Sequence, residues 1–467
     1  MTVAGPVLVY GMGIASEATA RALVRRGYEV VVADDVPTDD RRRVVAELGA
    51  ELVESPDDDA VRRLVRSSSA VAPAPGVPET HAVVAAALEF DIPLRTEIDL
   101  AYEWEQDRLG GPRPMIAITG TDGKTTTTMM VAALLGAAGL KAAAVGNTEV
   151  PLIAALDTDA QAFAVECSSF RLSWLRSFRA EAAIWLNLAP DHQNWHRSME
   201  SYELAKANVW RFQRSTDVAI GWSADPVVRR HLETAKGRRV TFGLAEADYR
   251  MQISHERAML AGPKGPFAEA SSLHRTFPHD LSNALAAAAA CIETGLVRDD
   301  QIDSGLAAFH FPPHRIEPLG EVGGVSWFND SKATSPHAAL TAIRSFESLV
   351  LVAGGRNKGL DLSSLATEAR RIRAVIAIGE SADEIRAAFS GLCPVFDAAD
   401  MDEVVARAAG VALPGDAVVL SPACASFDWF PAGGYPARGE AFRNAVQRHR
   451  ADASVPAPGG AAHGAAR

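Results

Sequence analysis

At 467 residues the chain is long enough for about three domains, and its 48% hydrophobic and 22% charged residues exclude a disordered or fibrous polymer. A formal net charge of −12 argues against a nucleic-acid partner bound through a basic face. No apolar run reaches the ~18 residues that cross a bilayer, and the start, Met-Thr-Val-Ala-Gly-Pro running straight into VLVYG, lacks the pattern of a secretory leader. A cytoplasmic protein without membrane insertion is expected.

Two Gly/Pro-rich breaks, DRLGGPRP (107–114) and FHFPPHR (309–315), divide the chain into segments 1–110, 111–312 and 313–450. A tail, 451–467, rich in Ala, Gly and Pro, is expected to be disordered. The first segment reads VLVYG, a helix from about Ser16, EVVVADD, then SAVAPAPGVP. The middle has MIAITG, a long helix from about Lys124, AAAVGN, AFAVECSS, AAIWLN and VAIGW. The last has VSWFND, LVLVAGG, AVIAIG and AVVLSP. Short, continuously apolar strands of this kind are buried on both faces. The fold class is therefore α/β, with a mostly parallel sheet flanked by helices in each of three domains. Ligands of such sheets sit beyond the carboxyl ends of the strands, where most of the polar motifs fall.

In chain order, GMGIAS (11–16) resembles a dinucleotide fingerprint with Ser16 in place of the third glycine, and Asp34 and Asp35 follow at the distance of a ribose acceptor. It is better evidence for a nucleotide diphosphate above a helix N-terminus than for NAD. ITGTDGKTTTT (118–128) is the strongest signal: a strand, a glycine turn and a helix whose N–H groups can cradle phosphate. Lys124 can reach terminal phosphates and the Thr125 hydroxyl can bind Mg²⁺. Glu166 ends the strand AFAVE and is placed to take the same ion. His192 and His196 are four residues apart, a spacing that could set two imidazoles on one helical face. No third zinc ligand stands at a recognised spacing, so single-histidine magnesium ligation is preferred to zinc. Lys206 follows on a helix. PPHR (312–315), NDSKAT (329–334), AGGRNKG (353–359) and SPACASFDWF (421–430) complete the set.

The bases carry a further clue. Only seven of the 46 Lys and Arg residues are lysines, and four of these (Lys124, Lys206, Lys332, Lys358) lie in the motifs. Where surface charge alone is wanted this chain uses arginine, so lysine marks sites that need a compact or reactive amine. The four cysteines are far apart and read as thiols rather than a metal cluster.

Taken together, GTDGKTTT, VECSSF, the DH…AK segment, PPHR, NDSKAT, AGGRNKG and LSPACASFDWF resemble the ATP-dependent Mur ligases, over nearly the whole chain and in order. The resemblance implies a Rossmann-like first domain, a P-loop ATPase in the middle and a Rossmann-like third domain. It implies that Gly120, Thr121, Asp122, Gly123, Lys124, Thr125 and Thr126 hold ATP, with Asn283 near adenine, Arg315 at the phosphates and Asp330 at the ribose. Two Mg²⁺ ions would be held by Thr125, Glu166, His192 and Lys206, the last as a carbamate, with Lys124, His192 and Lys206 counted as catalytic. Gly13 with Asp34 or Asp35 would take a uridine diphosphate, and Asn147 would lie near the muramoyl group. Lys332, Thr334, Lys358, Ser426 and Tyr435 would surround the incoming amino acid. The substrates implied are UDP-N-acetylmuramoyl-L-alanine and glutamate, D in the main branch and L in a related one, on a monomer. Closing the third domain over the second would keep water from an acyl phosphate.

The chain departs from the family at Asp122 and Asp280, where Asn is usual, and at HQNWH. The stretch from Asp428 to Arg438 is about two residues longer than the family form, with Gly433-Gly434 before Tyr435. Three rival readings are a nicotinamide oxidoreductase resting on GMGIAS, a non-catalytic ATP-gated module, and folylpolyglutamate synthetase or a later-step Mur ligase.

Overall fold

The computed structural model describes residues 5–454, which fall into two compact units, one running to His310 and the other beginning at Phe311. The first unit holds two parallel sheets. One has four strands in the order Glu51–Glu54, Val30–Asp34, Val7–Tyr10, Ala70–Pro73. The other has six, in the order Arg238–Phe242, Val218–Trp222, Ala182–Trp185, Met115–Thr119, Ala162–Glu166, Ala142–Gly146. Along Met115–Thr119 and Ala162–Glu166 every residue is buried, because helices cover both faces and leave no side for polar residues. The second unit has one six-stranded sheet, in the order Glu317–Val322, Val325–Asn329, Ala417–Ala423, Leu349–Gly354, Ile372–Ile378, Val395–Asp397. Only its first strand is antiparallel, so the α/β reading holds for all three segments.

Several elements lie outside the expectation. Glu51–Glu54 is an edge strand whose glutamates are exposed, so it has no apolar run to find. A small antiparallel sheet (Arg250–Ser254, Arg257–Gly262, Gly265–Glu269) carries charge and glycine throughout. The first helix begins at Ile14 rather than Ser16. The last helix runs from Gly434 to Ser454, so 451–454 are ordered and not tail; the rest of the expected tail, and the first four residues, lie outside the described residues.

The Gly/Pro stretch 107–114 is stapled at its end rather than left free. Arg113 forms a two-pronged pair with Glu105 (2.8 and 2.6 Å), and its guanidinium also donates to the carbonyls of Leu156, Thr158 and Ala160. Both side chains are buried, 6% and 2% exposed, so removing one strands the other's charge without water. Glu105→Ala should therefore cost about 3–5 kcal/mol of unfolding free energy, read by urea denaturation; a loss below about 1 kcal/mol would show the pair to be incidental.

Candidate active site

The carboxyl ends of the central strands converge on the turn Gly120–Gly123. Gly123 has φ +84° and caps the helix Lys124–Ala137, directing that helix's free N–H groups into the turn. A side chain there would also collide with Asn283, whose Oδ1 would stand 2.8 Å from an added Cβ. Asn187, at the end of the neighbouring strand, braces the turn: its Oδ1 accepts from the N–H groups of Thr121 and Asp122, both at 2.9 Å, and its Nδ2 donates to Asp122 O at 3.2 Å. Asn187 belongs to none of the motifs; its one trace in the sequence is its place as the polar residue closing AAIWLN. Thr121 is tied on its other side, its hydroxyl 3.1 Å from that of Tyr202 and accepting from Ala189 N at 2.9 Å.

Two lysines meet at one acceptor. Lys124 Nζ donates to Gly120 O at 2.9 Å and to Thr121 O at 2.7 Å, and Lys206 Nζ donates to the same Gly120 O at 2.7 Å. Lys206 lies on the helix Met199–Ala207, as expected, but is 1% exposed rather than solvated, with its amine 4.6 Å from the centre of the Tyr202 ring. Burial, and then the nearby Lys124 charge, push its pKa well below the ordinary lysine range. The arrangement presents a lysine amine that favours its neutral, nucleophilic form.

Glu166 approaches from the next strand, 2% exposed. Its Oε1 accepts from Asn147 Nδ2 at 3.2 Å, while Oε2 has no hydrogen-bond partner among the described residues. Strand spacing explains the glycine of VGN: at Gly146 (φ +101°) a Cβ would lie 2.3 Å from the Glu166 carbonyl oxygen. An orphaned buried carboxylate oxygen of this kind suits a cation. No group of three or more His, Cys, Asp or Glu side chains stands ready to hold a metal among the described residues. That combination fits Mg²⁺, which keeps waters and shares its ligands with phosphate.

The two histidines are not on one helical face. They occupy a turn segment between Asn187 and Ser198, because Pro190 and the left-handed backbone of His192 (φ +57°) break any helix. His192 is part-exposed and lies edge-on to Phe170, with ring centres 4.7 Å apart. His196 is buried; its ring packs on Phe170 and Tyr202 as that of His192 does, but both its nitrogens are taken up by Glu79 and Ser169.

Asp280, the unusual acid, is fully buried and held by Arg275 at 2.6 and 2.7 Å. Burial works to raise its pKa, but Arg275 and His279 prevail and hold it below the carboxylate range. In the first sheet Gly13 caps the helix Ile14–Arg25. Asp34 is turned inward, accepting from Met12 N at 2.7 Å and from Arg41, while Asp35 accepts from Tyr10 Oη at 2.5 Å. Asp34 is sealed into the turn, while the Asp35 side chain stays half exposed beside it.

The second unit assembles the remaining candidates. Lys332 Nζ stands 4.0 Å from the centre of the Tyr435 ring, and Lys358 Nζ donates to Thr334 Oγ1 at 3.3 Å. Tyr435 sits on the first turn of the last helix, which starts at Gly434 with φ +58°; the extra glycines thus open a helix. Ser426 is 2% exposed. Asp330 uses both oxygens internally, for Ile316 N (3.1 Å) and Ser421 Oγ (2.7 Å). Arg315 lies beside it on the segment entering the sheet. Arg438, 1% exposed, was not singled out from the sequence, yet it binds the loops together: Nε donates to Ser331 Oγ, Nη2 to Ser331 O and Cys424 O, and Nη1 to Ala425 O. Burial pushes its pKa down to about 10, so it remains a cation at neutral pH.

The sequence matches the families described as Mur ligase middle domain, over residues 118–291, and Mur ligase, glutamate ligase domain, over 314–424. It is 40% identical to the UDP-N-acetylmuramoylalanine–D-glutamate ligase of Frankia casuarinae, covering 95% of this chain and 94% of the relative. It is 37% identical to the enzyme of the same name from Thermobifida fusca, covering 94% and 98%. Among solved structures, the UDP-N-acetylmuramate–alanine ligase of Thermotoga maritima shares the fold with a TM-score of 0.57 at 16% identity, over 96% of this chain and 99% of that one.

The buried amine makes a test that needs no substrate. Lys206→Met should be more stable than the parent in buffer purged of carbon dioxide, by about 1 kcal/mol near neutral pH. The folded-state pKa lies below the unfolded one, so the unfolded parent binds more protons and its stability rises as pH climbs toward about 10.4. The gap between variant and parent, read by urea unfolding, should close over that range; a gap independent of pH would contradict a depressed lysine.

Proposed function

The chain belongs to the Mur ligase family, and from that premise we propose that it is the ATP-dependent ligase that adds D-glutamate to UDP-N-acetylmuramoyl-L-alanine. The observation that carries the reading is the meeting of Lys124, Lys206 and the half-satisfied Glu166 around the glycine turn. The names of its curated relatives give the amino acid.

A carboxylate is a poor acceptor for an amine because its charge repels the nucleophile and oxide is a poor leaving group. The alanyl carboxylate therefore attacks the γ-phosphorus of ATP, forming an acyl phosphate and releasing ADP. The amine of glutamate attacks the acyl carbon, and the tetrahedral intermediate expels inorganic phosphate as the amide forms. Lys124 leads the helix whose N-terminus faces the turn, where its charge offsets that of the terminal phosphates. The turn's N–H groups donate to the remaining phosphate oxygens. Thr125, Glu166, His192 and Lys206 as a carbamate are the residues that would hold two Mg²⁺ ions, which when bound neutralise charge through phosphoryl transfer. Lys206 suits the carbamate role because a neutral amine is what adds to carbon dioxide. Arginine, cationic at any relevant pH, could not stand there.

Asn283, beside Gly123, is assigned to adenine, and Arg315 and Asp330 to the phosphates and ribose. Asn147 is assigned to the muramoyl group while it steadies Glu166. Gly13, with Asp34 and Asp35 behind the turn, takes uridine diphosphate. Lys332, Thr334, Lys358, Ser426 and Tyr435 take glutamate, whose two carboxylates match two lysines. We assign the protein to the cytoplasm, as a monomer. No helix of the described residues is long and apolar enough to cross a membrane.

Phosphate release with UDP-N-acetylmuramoyl-L-alanine and ATP should be driven by D-glutamate at least about tenfold faster than by L-glutamate, a gap of about 1.4 kcal/mol; the reverse preference would place the chain in the L-glutamate branch. Lys206→Ala should be nearly inactive and partly restored by acetate or formate, which return a carboxylate oxygen to the site. Full activity in Lys206→Arg would refute the carbamate.

A further inference from the structure

The histidine that the active site does not use joins three distant stretches of the first unit. His196 Nδ1 lies 2.8 Å from Glu79 Oε1 and its Nε2 lies 2.8 Å from Ser169 Oγ. All three residues are buried, at 2%, 7% and 1% exposure. A carboxylate only accepts, so Nδ1 carries the proton and donates to Glu79, and Nε2 accepts from the Ser169 hydroxyl. Burial outweighs Glu79 and lowers the pKa of His196, consistent with the neutral ring that this pattern needs.

Each stretch leads to a ligand-facing edge. Ser169 stands three residues beyond Glu166, at the start of the short helix Ser169–Leu172 that follows that strand. His196 stands four residues beyond His192, and its N–H donates to the His192 carbonyl at 3.0 Å. Glu79 belongs to the loop that leaves Ala70–Pro73 in the first sheet and packs on the nucleotide turn, where a Cβ at Gly11 would meet Ala74 at 3.0 Å. Further bonds run between the same two loops. Trp195 Nε1 donates to Pro75 O at 2.9 Å, Glu79 N to Trp195 O at 3.3 Å, and Arg197 N to Glu79 Oε2 at 3.1 Å. His192 has a left-handed backbone that a side chain rarely adopts, and such a conformation persists only where its surroundings enforce it.

We propose that His196 and Glu79 form a positioning clamp that fixes the loop of His192 and the exit of Glu166 against the uridine-nucleotide edge of the first sheet, so that the muramoyl substrate and the phosphate site are held in one register. Neither residue touches reacting atoms; they act through the loops they join. This inference rests on the ligase reading above.

The test compares His196→Ala, His196→Gln, Glu79→Ala and the His196→Ala/Glu79→Ala double variant with the parent, by steady-state phosphate release and thermal unfolding. His196→Ala and Glu79→Ala should raise KM for UDP-N-acetylmuramoyl-L-alanine by about tenfold, leave KM for ATP within about twofold, and lower kcat by about tenfold. His196→Gln, whose amide keeps one donor and one acceptor, should recover most of the loss. The double variant should be no worse than His196→Ala alone, since both delete one connection. Unchanged kinetics in both single variants would overturn the clamp. So would a uniform loss in kcat and both KM values that tracks a lowered melting temperature and is not recovered by glutamine. A parent that releases no phosphate with either glutamate would instead overturn the ligase reading. The clamp is then judged by titration calorimetry with UDP alone, where equal affinity in parent and Glu79→Ala rejects it and weaker binding in the variant supports it.

Discussion

The carbonyl oxygen of Gly120 accepts hydrogen bonds from two lysines at once, and the rest of the central site depends on that shared acceptor. One lysine comes from the helix that follows the turn and the other from a helix more than eighty residues later, so the bond fixes the distance between two otherwise independent elements. Burial, and then repulsion from Lys124, lowers the pKa of the enclosed amine. The polarity of the site follows from this. One amine remains partly exposed and able to meet phosphate, while its enclosed neighbour gives up its proton more readily than an ordinary lysine. Asn187 and Tyr202 complete the frame by occupying the hydrogen bonds that would let the turn collapse.

Much of this was legible in the sequence because parallel strands buried on both faces leave an unmistakable trace, and because functional groups in such sheets cluster just after the strands. The glycine turn, Glu166 and Asn147 all follow from that rule. The scarcity of lysine added a second, independent pointer: Lys206 carries no periodic signal of function, but in an arginine-rich chain its presence needed a reason. Elements with no interior face escaped, such as Glu51–Glu54 and the small antiparallel sheet, where charge and apolar residues mix without period.

Side-chain partnership was the other hidden layer. The spacing of His192 and His196 suits a helix, but spacing says nothing of Pro190, of a left-handed residue that breaks the helix, or of Glu79 and Ser169, which take up both nitrogens of His196. Asp34 and Asp35 stand where a ribose acceptor belongs, and only the fold shows their oxygens engaged by Met12 N, Arg41 and Tyr10. Asp280 reads as a departure from a family asparagine, whereas in space it is one half of a buried pair with Arg275. A substituted residue can thus bring its own partner, which no single position reveals.

Arg438 has a consequence for how the second unit responds to its solvent. Around the amino-acid loops the outer charges are paired in the open, as Arg356 with Glu380 at 2.7 Å, both more than half exposed. Arg438 holds the floor of the same loops through backbone carbonyls and one hydroxyl, sealed from water. Dissolved ions weaken the first kind of attraction as the screening length falls from about 10 Å at 0.1 M to about 3 Å at 1 M, and barely reach the second. Rising ionic strength therefore slackens the rim while the floor keeps its shape, and the loops that carry Lys332 and Ser426 stay anchored in brine as they are in dilute buffer.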